Sequence, residues 1–397
     1  MTSQGRRLLL LLSCLVLLLP ATTVVGAGEA FRYAEQTHGS ARLQHVNGIP
    51  VMFVGGTPEE IGQQTAALGV KAAPRLAQYP KDLLQFFGAG GTWPLLLGVA
   101  KQFLPNFPPE YRRELDAMIA HSDGIDPDLI IAGNTFFDVK KFIACTSLMV
   151  EPGRSATGRA LLGRNLDFPT LGYLQDYTLV SVVRPAGKRA FVSIGFPGMV
   201  GVISGMNDAG LCLVVHEVYA ANDGASVLDT KGIPYALCFR KVLEECTTVA
   251  EAQALLKKLP RTTHLNLGVA DPKTVGVLEI TAKNVIFRPA EDGFCCCTNH
   301  FLSRELTLPV HHNVYLTVDR LNAVRARHTK SKLGVSDLAA ALHEANLGIH
   351  TLQTMVFEPE TRTLWLAIGP TPASALPLKK LELHEWLQPA RATPGNR

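Results

Sequence analysis

The chain has 397 residues, 47% of them hydrophobic, and its 38 Lys and Arg against 34 Asp and Glu leave a formal charge of only +4. Near charge balance with no basic cluster excludes nucleic acid as a partner, and a chain this long and apolar buries at least one large core rather than staying disordered. Past residue 27 no apolar run approaches the roughly 20 residues of a membrane-spanning helix, so the expected mature chain is soluble or at most peripheral.

Residues 1–27 carry Arg6 and Arg7, an apolar run from Leu8 to Leu19 and small residues ending Val25-Gly26-Ala27. This is the layout of a secretory signal, with the mature chain starting at Gly28. The expected location is secreted or periplasmic, or a lysosome-like compartment in a eukaryote. Asn-x-Ser/Thr is absent, which favours a bacterial exported protein.

Residues 28–144 read as a mostly helical segment. Val51 to Val54 form a short strand, and Thr57-Pro58-Glu59-Glu60 supplies an N-cap threonine, a first-turn proline and a capping-box glutamate for a helix from Pro58 to about Leu68. Residues 83–107 are rich in Leu, Phe and Trp; core packing is the ordinary explanation, an acyl-chain pocket wall or a membrane-docking face the functional one. Pro109 to His121 is a second helix, and Ile130 to Val139 leads into a junction at Cys145.

From Cys145 the pattern changes to strands: Thr146 to Val150, Leu161 to Leu166, Tyr177 to Arg184, Ala190 to Phe196, Leu211 to Val218, Leu267 to Ala270, Val275 to Thr281, Val285 to Arg288 and Cys295 to Thr298. Helices are expected over Pro234 to Glu245, Val249 to Leu259, and Asp337 to Glu344 capped by Ser336; Met355 to Glu358 and Leu364 to Ile368 form a last hairpin. Hairpins interrupted by helix pairs predict an α+β fold of layered antiparallel sheet covered by helices. The domain of 145–388 is followed by a flexible tail, 389–397.

Of eight cysteines, Cys14 leaves with the signal. The odd remainder, Cys145, Cys212, Cys238, Cys246, Cys295, Cys296 and Cys297, leaves at least one free thiol, with Cys145 the candidate. No zinc spacing, cofactor motif, Gly-x-Ser-x-Gly or His-Glu-x-x-His occurs, so no metal and no cofactor is expected. Cys145-Thr146-Ser147 opens one strand, and the next ends Gly163-Arg164-Asn165-Leu166-Asp167. Adjacent strands would set a thiol beside a cation that favours the thiolate and a carboxylate that could orient an amine. Taken alone, Arg164 and Asp167 are more often a structural ion pair.

This pair of motifs resembles the signature of choloylglycine hydrolases, acid ceramidase-like amidases and the penicillin acyltransferase family, all N-terminal-nucleophile enzymes. The resemblance continues with Gly205-Met206-Asn207-Asp208-Ala209-Gly210-Leu211, Thr298-Asn299-His300 and Asp319-Arg320, and upstream with Gly56-Thr57-Pro58-Glu59-Glu60-Ile61-Gly62, which favours the penicillin acyltransferase branch. Two departures stand out: Glu151 to Leu162 is longer than in the bile-salt relatives, and Leu321 follows Arg320 where acid ceramidase-like relatives carry a second arginine.

The resemblance implies two stacked antiparallel sheets between helical layers and self-cleavage of the Ala144–Cys145 bond. The N-terminal segment would then be a propeptide or small subunit, the chain's own partner. The new α-amine of Cys145, of ordinary pKa near 7.7–8.0, would serve as general base. It further implies Asn299 as oxyanion donor, Asp167 steadying the amine, Arg164 tuning the thiolate and Arg320 fixing Asp167 or the nucleophile. Glu217 is either a substrate-site residue or half of an ordinary edge-strand pair, and Asn207 is a second substrate-site candidate. The expected activity is hydrolysis of the amide of a small N-acyl molecule through a thioester. The alternatives are acyl transfer to an amine, or a non-catalytic binding protein on the same scaffold.

Overall fold

The computed structural model describes residues 30–139, 143–309 and 313–388. The signal expected over 1–27 and the tail 389–397 lie outside the described residues.

The N-terminal segment opens with three strands, β1 (Gln36–His38), β2 (Ala41–Val46) and β3 (Ile49–Gly56), where helix was the dominant expectation. Helices follow: α1 (Pro58–Thr65), α2 (Pro74–Ala77), α3 (Tyr79–Phe86), α4 (Trp93–Gln102), α5 (Pro109–Ala120) and α6 (Pro127–Val139). The capping box starts α1 as expected, Glu60 N–H donating to Thr57 Oγ1 and Thr57 N–H to Glu60 Oε2 at 2.7 Å. The chain coils on through a π turn over Ala66–Val70.

After the junction come β4 (Ala144–Val150), β5 (Leu161–Asp167), β6 (Leu179–Pro185), β7 (Phe191–Gly195), β8 (Ser204–Asn207) and β9 (Cys212–Glu217). Next are the helix pair α7 (Tyr235–Glu245) and α8 (Val249–Lys258), then β10 (Leu265–Ala270), β11 (Val275–Ile280), β12 (Val285–Pro289) and β13 (Phe294–Cys297). Helices α9 (Thr317–Arg325) and α10 (Val335–Glu344) precede β14 (Thr351–Glu358), β15 (Thr363–Ile368) and β16 (Lys379–Glu382).

Two sheets result. The larger runs β1-β2-β3-β6-β7-β8-β9-β10-β11-β12, the smaller β13-β4-β5-β14-β15-β16. The two sheets are antiparallel as expected, and among the described strands only β3 and β6 pair in parallel, Val51 opposite Val180. A chain that passes through six helices and the β4–β5 hairpin before returning has the long crossover a parallel neighbour needs.

Side chains alternate across β4 with period two. Met149 packs with Val180, Val214 and Met355 in the core between the sheets. Leu148 and Val150 turn outward onto Leu321, Val324, Leu338 and Leu342 of α9 and α10. The outer face of the larger sheet is covered by α1, α3 to α5 and α7 and α8 in a third cluster that includes Leu83, Leu115, Leu213 and Leu243. The order is helix, sheet, sheet, helix, as the resemblance implies.

Most of 83–107 is core: Leu83, Leu84, Leu96 and Phe103 are buried, whereas Phe86 and Leu95 are 53% and 63% exposed. No described helix is long and apolar enough to cross a membrane. All seven described cysteines are free and buried thiols.

Candidate active site

Cys145 is the second residue of β4 and shares its inward face with Ser147 and Met149. β4 pairs with β5 so that Ala144 lies opposite Asp167 and Ser147 opposite Arg164. Arg164 therefore projects from the neighbouring strand into the same layer. Its Nη2 donates to Cys145 Sγ at 3.1 Å and to the Val215 carbonyl at 3.0 Å, and its Nη1 to Ser204 Oγ. Two strands of the larger sheet thus aim the guanidinium at the sulfur. Both groups are fully buried, and burial pushes the Cys145 thiol up to about 11, with Arg164 the largest opposing pull.

Asn299 follows β13 and lies at the centre of the contacts. Its Oδ1 accepts the Cys145 backbone N–H at 3.0 Å, and its Nδ2 donates to the carbonyls of Ile143 at 3.1 Å and Glu217 at 2.8 Å. Arg320, on α9 behind the smaller sheet, donates from Nη1 to the Cys145 carbonyl at 2.5 Å and to Thr146 Oγ1 at 2.8 Å, and from Nη2 to Asn299 Oδ1 at 2.7 Å. Of the two residues Arg320 was expected to hold, its hydrogen bonds reach Cys145, through its carbonyl; towards Asp167 it stands as a nearby positive charge.

Asp167 ends β5. Oδ1 accepts from Thr351 Oγ1 at 2.5 Å, while buried Oδ2 has no hydrogen-bond partner among the described residues. Burial lifts this carboxyl to about 6, against the pull of Arg320 and the hydroxyl of Thr351. Asp167 does not touch the Cys145 nitrogen while that atom is still an amide.

Glu217 ends β9, which lies between β8 and β10. It is therefore an interior residue, and the edge-strand reading is corrected. Its Oε2 accepts the Ile143 N–H at 2.9 Å, and Oε1 meets the Tyr235 hydroxyl at 3.5 Å. Ile143, two residues before Cys145, is held by Glu217 at its N–H and by Asn299 at its carbonyl. Asn207 is not brought to the site. It donates to the Leu243 and Cys246 carbonyls and accepts from Ala209 N–H and Leu211 N–H, closing the β8–β9 turn against the end of α7.

Two cations, Arg164 and Arg320, and two carboxylates, Asp167 and Glu217, are at most 3% exposed around one sulfur. Such groups remain charged in the interior only where they compensate one another. Sequence reasoning missed Ser204, Thr317 and Thr351. Thr317 Oγ1 accepts the Asn299 N–H at 2.9 Å, and Thr351 holds Asp167. Only Ser204 carried a usable signal, standing next to the Gly205-Met206-Asn207 motif.

An apolar cavity open to solvent is lined by Val70, Leu76 and Tyr79 on one side and by Phe136, Phe168 and Met199 on others. Phe168, which directly follows Asp167 in sequence, is part of this lining; Cys145, Arg164, Asp167, Glu217, Asn299 and Arg320 are not. No residue of 83–107 lines this cavity.

Residues 154–372, more than half of the chain, match the profile of the acyl-coenzyme A:6-aminopenicillanic acid acyl-transferase family. The chain belongs to this family. Its members belong to the N-terminal-nucleophile superfamily of hydrolases and acyltransferases that act on amide bonds.

Among curated proteins the chain is similar to human acid ceramidase, 29% identical over 201 residues that cover 45% of this chain and 49% of the relative. It is also similar to an uncharacterized protein of Archaeoglobus fulgidus, 26% identical over 242 residues that cover 53% of this chain and 39% of the relative. The chain thus spans about half the length of the curated relatives it matches, or less. Among solved structures it is similar to the Caenorhabditis elegans N-acylethanolamine-hydrolyzing acid amidase ortholog, with 18% identity, 54% of this chain and 93% of that chain covered and TM-score 0.43. A mutant of the conjugated bile acid hydrolase from Clostridium perfringens gives 14% identity, 61% and 93% coverage and TM-score 0.40.

Proposed function

We propose that this protein is a self-activating cysteine amidohydrolase acting on small N-acyl molecules with a hydrocarbon-rich acyl part. The observation that carries the reading is that one residue, Cys145, has its sulfur 3.1 Å from Arg164 and its backbone nitrogen 3.0 Å from Asn299 Oδ1.

In the precursor that nitrogen is an amide and accepts no proton, so the chain is inactive. Cys145 Sγ attacks the Ala144 carbonyl carbon, the C–N bond breaks as the C–S bond forms, and the thiol proton passes to the departing nitrogen. Water then hydrolyses the thioester, leaving a carboxylate on Ala144 and a free thiol and α-amine on Cys145. Asn299 Oδ1 already holds the nitrogen, and the open Oδ2 of Asp167 supplies a second acceptor for the ammonium form.

On a substrate amide the sequence repeats. The α-amine takes the thiol proton, Sγ bonds to the acyl carbon, and the amine returns the proton to the leaving nitrogen as the C–N bond breaks. Asn299 Nδ2, released from the Ile143 carbonyl, donates to the developing oxyanion, a role typically contributing about 3–4 kcal/mol to the barrier. Arg164 favours thiolate, and Glu217 accepts donors of the leaving group where it now accepts Ile143 N–H. The acyl part lies in the cavity of Val70, Tyr79, Phe136 and Phe168, whose walls come from both sides of the junction. Hydrolysis is preferred over acyl transfer because an exported enzyme meets water in excess of any amine.

Mass spectrometry tests the reading. Wild-type protein should appear as two fragments parted before Cys145, and Cys145→Ala as one chain with no turnover; an intact, fully active wild type sinks it. A competing amine added to an N-acyl substrate separates the two fates of the thioester, predominant new amide marking an acyltransferase. Exposed Phe86 and Leu95 further support a peripheral contact with lipid, from which such substrates partition.

A further inference from the structure

A second charged cluster lies away from Cys145, and most of its ties cross from the segment before the junction to the segment after it. On the C-terminal side, α7 presents Arg240 and Glu244, one helical turn apart and joined by Arg240 Nε to Glu244 Oε1 at 2.7 Å. That internal pair leaves the Nη atoms of Arg240 for other partners, and Nη1 also donates to the Val200 carbonyl at 2.9 Å. They meet Glu114 of α5, with Nη1 2.7 Å from Oε1 and Nη2 2.7 Å from Oε2. Tyr111, one turn earlier on α5, donates its hydroxyl to Glu244 Oε2 at 2.7 Å, and its ring lies 4.6 Å below the Arg240 guanidinium. Lys188, after β6, closes the ring by donating to Glu244 Oε2 at 2.7 Å and to Glu110 Oε1 of α5 at 2.9 Å. The side chains of Glu114, Arg240 and Glu244 are at most 6% exposed.

We infer that this cluster is a plug and socket by which the protein recognises and retains its own cleaved N-terminal segment, with Glu114 and Tyr111 of α5 the plug and Arg240, Glu244 and Lys188 the socket. A desolvated guanidinium already held by Glu244 pairs with Glu114 through one hydrogen bond and a close ionic contact, and losing that carboxylate strands a buried charge. Apolar packing across the same boundary supplies area; the ionic pair supplies the choice of partner and register. Salt screens a pair shielded from water in this way much less than an exposed one. The inference goes beyond the catalytic reading but rests on its self-cleavage step.

The test is gel filtration of matured protein in about 1 M NaCl, a concentration at which exposed ion pairs are screened. It is carried out for wild type, Glu114→Gln, Arg240→Met and the double variant, each also in an uncut Cys145→Ala background. Wild-type fragments should co-elute. Each single variant should cleave and then release the N-terminal fragment, with an apparent dissociation constant at least about 100-fold weaker. The double variant should lose less than the product of the two single effects, because the two side chains act as one contact. In the uncut background, where the peptide bond does the holding, all variants should keep the parent's circular dichroism spectrum. Cut fragments of Arg240→Met that co-elute like wild type overturn the socket while leaving the catalysis standing. A wild type that is never cut overturns both, and uncut variants that fail to fold make the cluster a folding requirement and overturn the assignment.

Discussion

Gly133 gives the sharpest test of where the acyl chain lies. It is in the middle of α6 and lines the apolar cavity, and a Cβ built on it meets nothing within 4 Å. A side chain there can grow into the open space without displacing the helix. Gly133→Ala should stabilise α6 by about 0.8–1 kcal/mol through helix propensity and change turnover little. Gly133→Leu places four carbons in the cavity and excludes roughly three or four methylenes of a long acyl chain. At about 0.8 kcal/mol per buried methylene this removes about 2.5–3 kcal/mol of binding from long chains and none from short ones. The ratio of kcat/KM for hexadecanoyl over acetyl amides should therefore fall by about 70–150-fold, a change carried by the long-chain substrate alone. A series of N-acyl substrates of increasing length, assayed on matured enzyme, measures it. If Gly133→Leu lowers all chain lengths equally, or none, while its melting temperature holds, the acyl group is not in this cavity.

Asp167 couples stability to catalysis. Its carboxyl is held near 6 against an ordinary 3.8, so the folded chain binds this proton more tightly than the unfolded chain does. Its contribution is fully favourable below about 4 and is lost as pH rises through about 6. Asp167→Asn should thus be more stable than wild type by up to about 3 kcal/mol at pH 7 and equal to it near pH 4, while cleavage and turnover collapse; chemical denaturation at the two pH values checks this, and a destabilised variant at pH 7 refutes it. Arg164→Met removes the main pull keeping the Cys145 thiol from rising still further, so precursor cleavage should slow most at neutral pH and recover towards alkaline pH. An unshifted pH–rate profile would count against that role. Replacing Phe86 and Leu95 by serine should weaken co-sedimentation with vesicles and leave turnover of a water-soluble substrate unchanged.

Strands from Thr146 onward were legible because Val, Ile and Leu runs are punctuated by Gly, Pro and Asp, and the start of α1 because capping is a local interaction. Elements whose buried face is polar escaped. Helix α9 buries Thr317, Arg320, Leu321 and Val324, the right spacing for one helical face, yet two of the four are polar because that face serves the site. β2 was lost for a related reason: its alternation is carried by Ala41 and Leu43 between charged and polar neighbours, too faint against the helices that follow. The start of α10 differs too. Gly334 rather than Ser336 is the cap, and the carboxylate of Asp337 accepts the Gly334 N–H at 2.9 Å. Cys145, Arg164, Asp167, Asn299, Arg320 and Glu217 could be named from motif order. What each one touches depends on strand register and on contacts as far as 184 residues apart in sequence, which no local pattern records.

The parallel seam between β3 and β6 bears on how such an enzyme can be made. Synthesised without its first 144 residues, the polypeptide would present β6 as a bare rim of amide and carbonyl groups, a template inviting another molecule to zip onto it. The proposed scission would therefore be a late editing of an object already built. Supplying the two pieces from separate genes should yield aggregate far more readily than enzyme.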